Sequence, residues 1–378
     1  MRTAIATTEF LQSSAVWIYR QMSNDYIKHS LVFTDQVVNE GIYNHENVVV
    51  LKHKTGFLHT VKVLKRKYPL FDSIRFSRTN RQTVKKGLID NKIELLHIHF
   101  GTYAVFFMDI CTELEIPFVV TFHGFDITSA VNRWPLYKKK LGDLFLSMDM
   151  GLVISEEMKT RLLQLGCSEN KLRVSYLGVP TDQFIPVDRS DRSKVQFLHA
   201  GRLTEKKGVE PLIHCFTNAF KGQEDVVLIV AGGGELRDSL TTLVKNLDMN
   251  SQIKVIGNLS QEELTKAYRD SDVFVLNSRT DSNGTQEGLP IGILEASSSA
   301  LPIISTYHAG IPESVINEKT GILVTEYDDK ALTCALVTML DSQKRLEFGL
   351  NGRAYMEKKF ALKNCNEQLS GIYRGIIS

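Results

Sequence analysis

Short runs of Val, Ile, Leu and Ala recur along the whole chain, each followed by a turn and then by a helical pattern. The first half offers TAIAT, SLVFT, NVVVL, ELLHIHF, PFVVTFH and GLVIS; the second offers VQFLHA, VVLIVA, IKVIG, DVFVL, LPIIS and GILV. These runs are continuous rather than alternating, which is how strands buried on both faces read. Between them, stretches such as GVEPLIHCFTNAF and ELRDSLTTLVKNL carry helical spacing. Strand–helix alternation leaves few solutions: parallel sheets joined by right-handed crossovers, with helices on both faces. The 378 residues exceed what one core usually serves. The expectation is therefore α/β, with two Rossmann-like, doubly wound domains facing each other across a cleft. The stretch LGVPTDQFIPVDRSDRSK, with two prolines and a polar cluster, reads as the linker. It divides the chain into 1–184 and 185–355, and a last helix at about 356–378 is expected to pack back on the first domain.

Several classes are disfavoured at once. The cysteines (Cys111, Cys167, Cys215, Cys334, Cys365) are scattered, and no pair has metal or redox spacing, which fits a reducing cytoplasm. MRTAIATTEF lacks the apolar core of a signal peptide, and no uncharged apolar run approaches ~20 residues. Net charge is only +2, yet it is unevenly placed. From Leu51 to Gly87 there are eleven Lys or Arg and a single acid, Asp72, with Phe57, Tyr68, Phe71 and Phe76 interleaved. Such a block is either a solvated face or a surface for something anionic: a membrane, a lipid-linked phosphate or a nucleic acid.

Three stretches carry candidate chemistry. LHAGRLTEKKGVE reads as a strand ending at Ala200, a loop, and a helix starting near Gly208. That places Arg202 and Lys207 at the carboxyl end of a strand, where open parallel sheets bind ligands. A guanidinium fork and a mobile ammonium suit a diphosphate, although EKK could equally be a solvated helix start. VAGGGELRDSL is not the dinucleotide fingerprint, because the third glycine position is Arg237; it reads as a tight structural turn that admits a ligand close to the backbone. EGLPIGILE sets Glu287 in a loop and Glu295 inside a helix that Pro290 opens. The free N–H groups near Leu289 to Gly292, Pro290 having none, can receive polar or anionic ligand groups. His97 and His99 share one face of a strand, but no third metal ligand lies nearby in sequence, so no metal site is expected.

GRLTEKKG followed by Glu287-x7-Glu295 resembles the retaining glycosyltransferases of family 4, which have the GT-B fold. HIHFG, FHGFDIT, LVISEEMKTRLLQLGCSENKLRVSYLGV, QEGLPIGILEA and STYHAGIPE extend the likeness, in order, from about Leu95 to Val324. It is nearest to colanic-acid-type enzymes of exopolysaccharide and O-antigen assembly. The resemblance implies that Arg202 and Lys207 bind the donor diphosphate. Glu287 would meet the donor sugar hydroxyls, and Glu295 the ribose hydroxyls. The backbone of Gly288, Leu289, Pro290, Ile291 and Gly292 would contact sugar and phosphate. His123 would touch the donor sugar near the reacting centre, and the 256–259 loop would lie beside the base. Two places depart from the family. TTEFLQSSAVWIYRQM has no glycine after the first strand, where Ser13 and Ser14 could cap the next helix and donate hydrogen bonds, and Pro180 replaces the usual aspartate after GV.

What the resemblance implies is a retaining hexosyltransferase. Its donor is a nucleotide-diphosphate sugar and its acceptor a lipid-linked oligosaccharide, in surface polysaccharide biosynthesis (exopolysaccharide, capsule or lipopolysaccharide O-antigen). No cofactor and no nucleic acid are expected. The basic segment 51–87 would hold a cytoplasmic enzyme against the inner face of an anionic membrane. A glycoside hydrolase needs its carboxylates about 5–9.5 Å apart, whereas eight residues of helix span about 12 Å. A GT-B-like sugar-nucleotide epimerase and a non-enzymatic nucleic-acid-binding protein using 51–87 remain as alternatives.

Overall fold

The computed structural model describes residues 1–10, 16–22, 27, 29–38, 47–51, 76–190, 192–282 and 284–378. The chain forms two compact units: residues 1–178 together with 363–378, and residues 179–362.

In the first unit β1 (Thr3–Phe10), β2 (His29–Val37), β3 (Val48–Val50), β4 (Leu95–His99), β5 (Phe118–Phe122), β6 (Met150–Val153) and β7 (Leu172–Val174) form one sheet in the order β3-β2-β1-β4-β5-β6-β7. Every pairing is parallel. All residues of β4 and β5 are buried, as their unbroken apolar runs require. The short edge strand β7 is the exception. Leu172 is buried while Arg173 faces solvent, so LRV carries no continuous run and does not announce itself as a strand. The helix Leu362–Ile377 supplies Leu369 and Tyr373 to the core that holds Ile27, Leu95, Val119 and Leu152.

In the second unit β8 (Val195–Ala200), β9 (Val226–Ala231), β10 (Ile253–Gly257), β11 (Val273–Leu276), β12 (Ile303–Thr306) and β13 (Gly321–Val324) form a second parallel sheet, in the order β10-β9-β8-β11-β12-β13. The helix Val209–Phe220 buries Val209, Leu212, Ile213, Phe216 and Phe220, the one-sided spacing of a helix laid on a sheet. Phe197, Phe216 and Phe220 meet with ring centroids 5.0–5.8 Å apart. Each such side chain contributes about 1.5–3 kcal/mol by leaving water. At its two ends this unit closes on itself: Val179 N–H donates to Phe360 O (2.8 Å) and Leu362 N–H to Val179 O (2.9 Å).

Each sheet reverses its winding once, between β1 and β4 and between β8 and β11. At such a point adjacent crossovers leave in opposite directions, and the carboxyl ends of the two strands open a crevice.

Candidate functional site

At the β8–β11 reversal, the chain leaving β8 runs through Gly201, Arg202 and Leu203. AGGG, which follows β9, lies directly against that backbone. Leu203 N–H donates to Gly233 O (2.8 Å) and Leu236 N–H to Leu203 O (3.1 Å). Gly232 and Gly234 take φ of +144° and +150°, and a Cβ on Gly232 would stand 1.8 Å from Gly201 O. The glycines thus serve a close approach, but the group that the structure brings against them is the chain's own Arg202 loop rather than a ligand.

After the short turn Glu205–Lys207, Gly208 adopts the left-handed conformation (φ +58°) before the helix Val209–Phe220. Any Cβ there would meet Asn277 O at 2.1 Å. Arg279 N–H donates to Lys206 O (2.8 Å) and Asn277 Nδ2 to Gly208 O (3.1 Å), tying this turn to the residues that follow β11. Both lysines then reach one carboxylate: Lys207 Nζ lies 2.9 Å and Lys206 Nζ 3.3 Å from Glu287 Oε1. Burial alone would push the Glu287 carboxyl up; Lys207 and then Lys206 outweigh it and hold it at about 2. Burial pulls Lys207 below its ordinary value, with Glu287 acting the other way. Arg202 is exposed at the carboxyl end of β8. Fully buried His199 faces the same lysine. Its Nδ1 bonds to Val275 O (3.1 Å), and burial and the Lys207 charge hold it at about 4, so it is neutral.

The helix of EGLPIGILE spans Ile291–Ser298, with Pro290 as its N-cap residue and no side-chain cap. Gly288, Leu289 and Pro290 are buried, whereas Ile291 and Gly292 are partly exposed. A Cβ on Gly292 would lie 3.3 Å from the Phe274 ring and 3.7 Å from Ala200 O, so this helix start sits at the end of β8. Glu295 is inside the helix and only 4% exposed, and Tyr268 Oη donates to its Oε2 (3.2 Å). The two glutamates therefore occupy different settings: Glu287 beside two ammonium groups, Glu295 beside a buried phenol. Lys206 and His308, whose Nε2 accepts the Glu287 N–H, were given no role from the sequence. The only local signals were a second lysine in EKK and the histidine of STYHAGIPE.

In the first unit, His97, His99 and His123 cluster at the ends of β4 and β5. His97 and His99 do share a face, with ring centroids 4.3 Å apart. His97 Nε2 meets Thr121 Oγ1 (2.6 Å), and its Nδ1 meets Tyr373 Oη. A hydrogen bond of 3.2 Å joins His99 Nδ1 and His123 Nε2, and the Trp17 ring packs 4.3 Å from that of His123. Burial, then mutual repulsion, holds all three imidazoles well below their ordinary pKa, so they are neutral. Asp126 orders the backbone here by accepting from His123 N (3.0 Å), Gly124 N (3.0 Å) and Gly101 N (2.9 Å). Burial raises its carboxyl to about 6 against the pull of those donors. Among the described residues no group of three or more His, Cys, Asp or Glu could hold a metal ion.

The basic segment 51–87 lies mostly outside the described residues, as do Ser13 and Ser14. Within its described part, Arg81 and Lys85 both pair with Glu113. Among the described residues no helix is long and apolar enough to cross a membrane.

Residues 43–183 match the family Glycosyltransferase Family 4, and residues 181–355 match Glycosyl transferases group 1. WcaL of Escherichia coli, named for colanic acid biosynthesis, is 30% identical over 260 residues, covering 68% of this chain and 63% of that protein. The amylovoran biosynthesis glycosyltransferase AmsK of Erwinia amylovora is 29% identical over 284 residues, 74% of this chain and 69% of that one. The chain thus aligns with somewhat under two thirds of WcaL. A crystal structure of Anabaena HepE in complex with UDP matches with a TM-score of 0.79 at 16% identity, covering 99% of each chain; this likeness speaks for the GT-B fold alone. The two family matches together run from residue 43 to residue 355, and the chain belongs to the glycosyltransferases, with a Family 4 region followed by a group 1 region.

Proposed function

We propose that this protein is a retaining glycosyltransferase that moves a hexose from a nucleotide-diphosphate sugar to a lipid-linked oligosaccharide in surface polysaccharide biosynthesis. The observation that carries the transfer reading is the Lys206–Lys207–Glu287 cluster beside Arg202 and a helix start, all at the carboxyl end of β8. Positive groups preorganised there suit a diphosphate that leaves with its negative charge. A glycosidase acid would need a proton at working pH, and the two lysines beside Glu287 favour its ionised form instead. The names of WcaL and AmsK support exopolysaccharide assembly, and UDP in the HepE structure supports a nucleotide donor.

In this reading Lys207 and Arg202 hold the diphosphate and stabilise it as the bond to the sugar breaks, and no metal cofactor is assigned. The acceptor hydroxyl attacks from the face that the diphosphate leaves, which retains configuration. The backbone from Gly288 to Gly292 contacts sugar and phosphate, Glu287 meets the sugar hydroxyls, and Glu295 the ribose hydroxyls. His123 touches the donor sugar near the reacting centre. The basic segment 51–87 binds the anionic face of the membrane that carries the acceptor, the protein being cytoplasmic and peripheral. Arg81 and Lys85 already pair with Glu113, so that attraction falls on the other basic residues of the segment. Lys65→Glu with Lys67→Glu is expected to release the protein from anionic liposomes in co-sedimentation. Equal binding to neutral liposomes would refute the electrostatic part.

The two glutamates supply the test. Calorimetry with UDP and with GDP, beside initial rates on nucleotide sugars, is expected to separate them. Glu295→Ala weakens nucleotide binding about tenfold or more, whereas Glu287→Gln leaves it and lowers turnover. Tyr268→Phe removes the internal bond to Glu295 but keeps the carboxylate, and so reports any purely structural share. If neither glutamate variant binds nucleotide more weakly and both abolish cleavage of a plain glycoside, the chain is a hydrolase.

A further inference from the structure

We infer that His308 is a positioning residue for Glu287, one member of a clamp that Glu326 and Thr280 complete. The inference rests on the reading of Glu287 given above and deepens it.

The loop that carries Glu287 leaves β11 and ends at the helix Ile291–Ser298. Its two ends are tied by side chains that arrive from elsewhere in the sheet. Glu326, which follows β13, accepts from Thr280 N–H through Oε2 (2.8 Å) and meets His308 Nδ1 through Oε1 (2.7 Å). His308, which follows β12, accepts from Glu287 N–H through Nε2 (3.0 Å). The line Thr280–Glu326–His308–Glu287 thus closes across the mouth of the loop. Gly310 N–H adds a bond to Gly288 O (3.2 Å) just beyond it. The His308 side chain is wholly buried.

This arrangement admits one protonation form of the imidazole. A backbone N–H can only donate, so Nε2 must present its lone pair. The single ring proton therefore sits on Nδ1 and is donated to the Glu326 carboxylate. The other tautomer, or a second proton, would set one N–H against another. Burial would raise the Glu326 carboxyl, but the Thr280 N–H and His308 together hold it below its ordinary value. A carboxylate there fixes the tautomer, and the tautomer fixes the Glu287 backbone. The Glu287 carboxylate is in turn aimed at two lysines within 3.3 Å, so a shift of about 1 Å at its backbone would spoil the geometry.

The substitutions follow from atom positions. His308→Asn keeps a donor near Nδ1 for Glu326 but offers Glu287 no acceptor. His308→Gln sets an amide oxygen near the place of Nε2. Glu326→Gln is almost isosteric, yet it must break the line: its amide either forces His308 into the other tautomer or turns an N–H toward Thr280.

The test is nitrogen-15 NMR on histidine-labelled whole protein, with amide exchange at Glu287 followed by fragmentation mass spectrometry. The signal lost in His308→Gln identifies His308, which is expected as the Nδ1–H tautomer. Exchange at Glu287 is expected to quicken at least tenfold in His308→Asn and in Glu326→Gln, and to stay near wild type in His308→Gln. A proton found on Nε2, or exchange within twofold of wild type in His308→Asn, overturns the clamp. No nucleotide or sugar enters these measurements. A chain that shows the clamp but binds neither UDP nor GDP therefore refutes the transferase reading alone.

Discussion

Lys207→Ala is expected to lower the release of nucleotide diphosphate from the donor about 100-fold, with a cooperative thermal transition preserved. Its Nζ is the nearest positive group to Glu287, at 2.9 Å, and the turn that carries it is fastened by backbone bonds that the substitution leaves in place. Lys206, at 3.3 Å, still neutralises Glu287, so no uncompensated charge is left inside. What is lost is a preorganised charge at the leaving group. Removing one such donor typically costs about 10²–10³ in turnover, roughly 2.7–4 kcal/mol. Arg202→Ala is the cleaner companion, because Arg202 is exposed and its loss should leave the thermal midpoint alone while turnover falls at least tenfold. Near-normal turnover in both variants would remove the diphosphate from this end of the sheet.

The largest loss of stability is expected from Gly232→Ala. The added methyl would stand 1.8 Å from Gly201 O at a φ of +144°, so backbone has to move, and it is the backbone that leads to Arg202. Strain of this kind belongs among the few mechanisms that cost more than about 3 kcal/mol. At roughly 2–4 °C per kcal/mol for a unit of this size, the midpoint should fall by about 6–12 °C or more. Gly222→Ala is the control: φ is +88°, but nothing lies within 4 Å of the new methyl. That variant should cost only the left-handed backbone, about 1–2 kcal/mol. If thermal denaturation ranks the two the other way, the close packing of AGGG on the Arg202 loop is wrong.

The strands were legible because each central run is apolar on both faces, and VVLIVA or DVFVL could do little else in a parallel sheet. β7 was not, since Arg173 faces water in the middle of a three-residue strand. Gly208 and Pro290 announce helix starts locally, and the helices begin one residue after each, at Val209 and Ile291, with Pro290 capping its helix rather than forming its first residue. His308 and Glu326 stayed silent for a different reason. Their partners lie 21, 18 and 46 residues away, joined only when successive crossovers bring the ends of β11, β12 and β13 together. A window of twenty residues holds at most the His308–Glu326 pair, which by itself announces no clamp. Lys206 was visible but ambiguous: side by side in EKK, two lysines read as a solvated turn until one carboxylate is found to face both.

The division of the chain also sets the order in which it can be finished. Residues 179–362 form the second unit without interruption, whereas the first waits for residues 363–378. On the ribosome, then, the earlier-made unit cannot complete its interior until residues 363–378, which follow the whole of the second unit, have been made. Until Leu369 and Tyr373 are made, the core that holds Leu95, Val119 and Leu152 is incomplete. Exposed apolar strands of this kind are what chaperones hold and proteases cut. A premature stop codon that removes only this helix, far in sequence from every residue assigned to the donor, would send a chain with an intact second unit to degradation.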